Sequence, residues 1–218
     1  MSLACTHGYD LVVCSRCTVS CKRSVVARRC LFFLLSLIPI LHLPRYKYIA
    51  EMQNTTAAGS VNDACLAHYA PKGEAWKCFM AQYTLPFLQT PYFMTQDTVD
   101  SWQMPEILNL NCFPASCNVT ELAQANRYRK DMLVALAPLI DPPAMKKKKK
   151  KKNGGFITAC WQHCHQNHAR PWLNASMKNQ TLAATWDAWY HSRAGAPTLL
   201  VADHDFNPDE PNAECLGW

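Results

Sequence analysis

The chain has 218 residues, 49% of them hydrophobic, so it is long enough for one domain with a real core and too apolar for wholesale disorder. Its formal net charge of +6 rests on one run of seven lysines, residues 146–152; the other 15 basic residues face 16 acidic ones. With that run set aside, no basic stripe interleaved with aromatics remains, which argues against a nucleic-acid-binding protein.

The first 50 residues differ in composition from the remainder of the chain. They hold five cysteines, seven Lys or Arg and a single acid, Asp10. Residues 31–43, LFFLLSLIPILHL, form a 13-residue apolar run with Arg28 and Arg29 before it and Pro39 inside it. That is short of the roughly 20 residues that span a bilayer. It suits the apolar region of a secretory signal peptide, although the preceding segment is long and no small-x-small cleavage site comes after it. A chain start unrelated to the rest is the competing reading, and a membrane anchor is a weaker third. Residues 1–52 are read as an irregular segment and 53–218 as the globular part.

Residues 53–90 are polar, with Cys65 and Cys78 bracketing a loop that contains Pro71 and Gly73. TPYFMTQ (90–96) is a short apolar run after a proline and reads as a buried strand. SWQMPEIL begins a short helix. The clearest helix is CNVTELAQANRYRKDMLVALAPLI, where Asn118 with Glu121 three residues on forms a capping box, and Leu122, Ala125, Met132 and Leu136 share a face. DPPAM ends it. The lysine run after it reads as a low-complexity insertion in a loop, with a basic patch for an acidic polysaccharide or a membrane as the alternative. GGFITAC (154–160) is a second buried strand. TLAATWDAWYHSR is a second helix, with Leu182, Trp186 and Trp189 as its apolar face. The tail is rich in Pro and Asp and carries Cys215. Strand, helix, strand, helix in this order predicts the last two βα units of a parallel sheet.

Each strand runs into titratable residues. The first meets DTVDSWQ, with Asp97 and Asp100; the second meets CWQHC, with His163. An acid and a histidine in loops after late strands is the arrangement of an α/β-hydrolase triad, whose chain order is Ser, Asp, His. Histidine exchanges protons near neutrality, and an aspartate fixes its tautomer and stabilises the imidazolium. Taken alone, an Asp after one strand and a His after another are also common as structural residues.

TPYFMTQDTVDSWQMPEIL and NGGFITACWQHCHQ resemble the two C-terminal motifs of the pectin acetylesterase/Notum family. NDACLAHYAPKGEAWKCFM resembles that family's cysteine-bracketed segment, and PWLNAS…TWDAWYHSR its terminal helix. The resemblance covers residues 53–195. It implies a partial α/β-hydrolase-like fold, with a lysine-rich insertion at 146–152, and a Ser-Asp-His carboxylesterase in which Asp100 is the triad acid and His163 the general base. Asp97 has no counterpart. The sequence departs from the family in two respects: none of its seven glycines brackets a serine as Gly-x-Ser-x-Gly, and the glycine-rich oxyanion strand is absent. The nucleophile is therefore unassigned. The chain reads as the C-terminal part of such a hydrolase, expected to be inactive as written, and the alternative is a non-catalytic secreted glycan-binding glycoprotein.

Zinc at the second motif would draw on Cys160, His163, Cys164, His165 or His168. No second cysteine pair stands further on at matching spacing, and crowded neighbours cannot all point at one ion. The expectation is no metal and no cofactor. Twelve cysteines beside four sequons, at Asn54, Asn118, Asn174 and Asn179, predict a secreted, disulfide-bonded glycoprotein. Cys65–Cys78 and Cys112–Cys117 each close a short loop and are expected as local disulfides; Cys160, Cys164 and Cys215 are expected to include one more. The expected substrate is an acylated polysaccharide or an acylated protein, and the expected state is a monomer.

Overall fold

The computed structural model describes residues 12–15, 43–57, 60–140, 153–164, 168–210 and 212–215. The lysine run, His165 and all of the apolar run before Leu43 lie outside the described residues. Strand β1 is Val12–Ser15 and helix α1 is Leu43–Met52. Both fall within the segment read as irregular. The stretch expected to be a loop is helical. Helix α2 (Asp63–Tyr69), capped by the Asn62 side chain on the Cys65 N–H, leads through 3₁₀ turns to α3 (Ala81–Thr84). Pro71 and Gly73 do not abolish the helices; they end one and begin the next, with Gly73 in the left-handed region at φ 70°.

Strand β2 (Tyr92–Asp97) is succeeded by α4 (Gln103–Leu108), then α5 (Val119–Ala135) and the single turn α6 (Ala137–Ile140). The capping box at α5 is complete. Asn118 Oδ1 accepts from the N–H groups of Thr120 and Glu121, and Glu121 Oε2 accepts from the Asn118 N–H at 2.8 Å. Strand β3 (Gly154–Thr158) leads to α7 (Ala169–Asn174), the two-residue strands β4 (Ser176–Met177) and β5 (Gln180–Thr181), α8 (Leu182–His191) and β6 (Leu199–Val201). Lys178 and Asn179, both at positive φ, make the tight turn of the β4–β5 hairpin.

The main sheet has the order β1-β2-β3-β6. β2, β3 and β6 are parallel, and β1 lies antiparallel on β2. The Pro- and Asp-rich tail thus supplies a third parallel strand. β2 and β3 are buried at every position, as strands covered on both faces are. Alternate side chains sort to opposite faces. Tyr92, Met94 and Ile157 pack on Ala125, Tyr128, Met132 and Leu136 of α5, together with Met104 and Ile107 of α4. Phe93, Phe156 and Leu200 pack on Leu182, Ala188 and Trp189 of α8. The indole of Trp189 lies so close to β3 that a Cβ on Gly154 would come within 2.5 Å of it. The strand ends of β2 and β3 thereby sit side by side, sandwiched between two helical layers.

Candidate functional site

In the β2–β3 register Asp97 pairs with Thr158. Thr98 fastens the two strand ends again: its N–H and its hydroxyl both donate to the Thr158 carbonyl, at 3.0 and 2.7 Å. The chain after β2 turns into α4, and Asp100 caps that turn. Its Oδ1 accepts from the N–H groups of Trp102 and Gln103, each at 2.9 Å. Its Oδ2 is left for the neighbouring loop, where His163 Nδ1 lies 2.8 Å away. One further bond ties the two loops directly, from the Ser101 N–H to the Gln162 carbonyl at 3.1 Å.

Asp100 is 3% exposed, and the His163 side chain 20%. Burial pushes the Asp100 carboxyl above its ordinary range. The hydrogen bond and charge of His163 and the bond from the Gln103 N–H pull the other way, and nearby Asp97 adds a small push upward. When the carboxylate is ionised it has no proton to donate, so Nδ1 then carries the hydrogen in this pair and Nε2 is the basic nitrogen. The Trp102 ring flanks the imidazole, tilted by 31° with centroids 6.2 Å apart. The arrangement can accept a proton at Nε2 and hold the resulting imidazolium against a buried carboxylate.

Of the other residues singled out in the sequence, Asp97 is buried and accepts from the Thr158 hydroxyl at 2.5 Å, on the strand rather than at the imidazole. His168 is exposed at the start of α7. Disulfides join Cys65 to Cys78, Cys112 to Cys117 and Cys160 to Cys215. Cys164 is disulfide-bonded as well. The sulfurs of Cys160 and Cys164 are therefore not available as thiolate ligands. The same holds where Cys112, Cys117 and Glu121 cluster, because those two sulfurs are bonded to each other and Glu121 caps α5. Asn54, Asn118, Asn174 and Asn179 are all exposed.

Gln103, Tyr128 and Gln162 are supporting residues not singled out in the sequence. The Tyr128 hydroxyl donates to Gln103 Oε1 at 2.9 Å, fixing the residue whose N–H holds Asp100. Gln162 is the middle of CWQHC, but nothing in the motif tells that its side chain reaches the carbonyl of Cys215 at 3.0 Å.

The pectinacetylesterase family model matches residues 40–212. The chain belongs to the pectinacetylesterase family. Pectin acetylesterase 7 of Arabidopsis thaliana is 24% identical over 170 residues, which are 71% of this chain and 40% of that protein. Pectin acetylesterase 11 of the same plant is 26% identical over 149 residues, 62% of this chain and 36% of that protein. The chain thus spans about two fifths of the length of these relatives. Two crystal forms of the Drosophila Wnt deacylase Notum share the fold. They are 20% and 17% identical, cover 71% and 84% of this chain and 38% and 46% of theirs, and give TM-scores of 0.53 and 0.61. The fold is that of a Notum-like α/β hydrolase.

Proposed function

We propose that Asp100 and His163 are the acid and the general base of a serine carboxylesterase that removes acyl groups from an acylated polysaccharide or an acylated protein. The observation that carries this is the 2.8 Å contact between His163 Nδ1 and Asp100 Oδ2, at the carboxyl ends of adjacent parallel strands. In this reading His163 Nε2 takes the proton of an attacking serine hydroxyl and returns it to the leaving alkoxide. Asp100 keeps the proton of the neutral imidazole on Nδ1 and steadies the imidazolium. Membership of the pectinacetylesterase family, with a fold shared with a Wnt deacylase, supports an ester substrate.

In this reading the attacking serine is unassigned, because no Gly-x-Ser-x-Gly stands in the 218 residues. The same fact supports the second reading, a non-catalytic glycan-binding glycoprotein, for the chain as written. The protein works outside the cell: the seven cysteines from Cys65 to Cys215 are all oxidised, which fits the secretory pathway. Among the described residues no helix is long and apolar enough to cross a membrane. The protein is proposed to act as a monomer and without a cofactor.

The test is a chimera that joins residues 43–218 behind the upstream half of pectin acetylesterase 7, which the family resemblance expects to carry the elbow serine. It should hydrolyse a chromogenic acetyl ester, and His163→Ala should lower kcat/KM by several powers of ten with the melting temperature little changed. Turnover that survives His163→Ala would overturn the assignment.

A further inference from the structure

The loop that carries His163 is gripped by the C-terminal tail at three consecutive residues. Cys160 is bonded to Cys215. The ring of Trp161 lies 5.5 Å from that of Phe206. Gln162 Nε2 donates to the Cys215 carbonyl. The tail is itself fastened to α5. Asn126 and Phe206 exchange two hydrogen bonds, Nδ2 to the Phe206 carbonyl at 2.9 Å and the Phe206 N–H to Oδ1 at 2.8 Å. Buried Arg129 donates from Nη2 to the Ala202 carbonyl at 2.6 Å, with Asp205 3.7 Å from Nη1. His204 Nε2 and the buried Glu214 carboxylate, 2.7 Å apart, close the tail on itself.

We infer that the tail is a strap that positions His163, and that Cys215 and Gln162 are its positioning residues; the inference rests on the acid–base reading of Asp100 and His163. Gln162 is the link. Its carbonyl accepts from Ser101 in the loop of the acid, while its side chain holds the tail. The strap therefore sets the distance between the loop of the base and the loop of the acid. A disulfide with the chain ends far apart in sequence, here 55 residues, restrains that loop whether or not the surrounding surface is well packed. A histidine loop lacking these holds would let the imidazole turn away from Oδ2, and Nδ1 would lose its fixed proton. Misplacement on the order of 1 Å is enough to lower a catalysed rate about 100-fold.

The strap is tested without turnover, on the full chain, by nitrogen-edited NMR of the His163 imidazole. The unaltered chain should show His163 as the Nδ1–H tautomer with a strongly downfield Nδ1 proton. Replacing both Cys160 and Cys215 by Ala should abolish that resonance and shift the ring toward the Nε2–H tautomer of a free imidazole. Gln162→Ala, which keeps every disulfide, should broaden or abolish it too, and carries the test if the double cysteine variant does not fold. Replacing Cys65 and Cys78 by Ala is the control: it should lower the melting temperature and leave the resonance in place. Absence of the downfield proton from the unaltered chain overturns the acid–base reading and the strap with it. Its presence in the unaltered chain and in the strap variants overturns the strap alone. Equal loss in the control and the strap variants also overturns it, as general loosening.

Discussion

Asp100 meets two demands that conflict. Burial raises its pKa above the ordinary 3.8, yet the proposed acid–base role with His163 requires it ionised. The folded state binds this proton more tightly than the unfolded chain does, so the group is least costly to stability below pH 3.8. The penalty grows as pH rises through the folded pKa and is complete above it. Asp100→Asn removes the charge and keeps an oxygen for the Trp102 and Gln103 N–H groups. At neutral pH the variant should melt at the same or a higher temperature than the parent, and the difference should shrink as pH approaches 4. Its amide presents N–H to the imidazole, which favours the tautomer with the proton on Nε2 and removes the base. In the active chimera the rate should fall about 10⁴-fold, the loss that the equivalent change brings in a serine protease. A melting temperature that drops at pH 7 but not at pH 4 would contradict the burial argument. Asp100 and His163 are legible in the sequence because each comes after an apolar run that reads as a strand. Arg129 is not: a charged residue in a helix reads as solvated, and only the Ala202 carbonyl and Asp205, more than 70 residues away, allow it to be buried.

Among the elements, those with strong local signals are legible and those made by pairing are not. β2 and β3 announce themselves by composition and α5 by its capping box. β6 is three residues after Pro197; it is a strand only because β3 offers Gly155, Phe156 and Ile157 as partners. The helices between Asp63 and Thr84 are short and mixed in polarity, and are held by the Cys65–Cys78 bond, by Asn62 and by a small apolar cluster of Met80 with Tyr46, Trp76, Phe79 and Tyr83. Gly154 shows packing acting on a strand residue. An added methyl would press on the Trp189 ring at 2.5 Å and on the Thr198 carbonyl at 2.7 Å. Gly154→Ala should therefore destabilise the fold by about 1–3 kcal/mol, the usual range for overpacking. Trp189→Leu in the same chain should recover only part of this, because the carbonyl remains. Calorimetric melts of the two variants decide the point; a Gly154→Ala chain as stable as the parent would mean that Trp189 is free to move off the strand.

At the scale of the whole molecule, the disulfides and the sequons make one argument about compartment. The Cys160–Cys215 bond spans 55 residues and the Cys65–Cys78 bond 13, and in the chain-entropy model loops of these lengths contribute roughly 3–4 kcal/mol each. Such bonds persist outside the reducing cytosol, which fits the secretory pathway. Under the proposed extracellular localisation, Asn54, Asn118, Asn174 and Asn179 would meet the glycosylation machinery. All four are exposed, and where the Asn118 side chain is engaged it uses its oxygen as the α5 cap, leaving the nitrogen that bears a glycan. Material secreted from eukaryotic cells should shift to lower mass on treatment with peptide-N-glycosidase, and release in heavy-oxygen water should mark these four positions as Asp in peptide maps. The same maps without reductant should contain the Cys65–Cys78, Cys112–Cys117 and Cys160–Cys215 cross-links. Reduction under native conditions should lower the melting temperature by roughly 10–30 °C, since about 1 kcal/mol moves a domain of this size by roughly 2–4 °C. Free thiols at these cysteines in secreted material, or unmodified asparagines throughout, would place the chain in another compartment and remove the extracellular substrates from consideration.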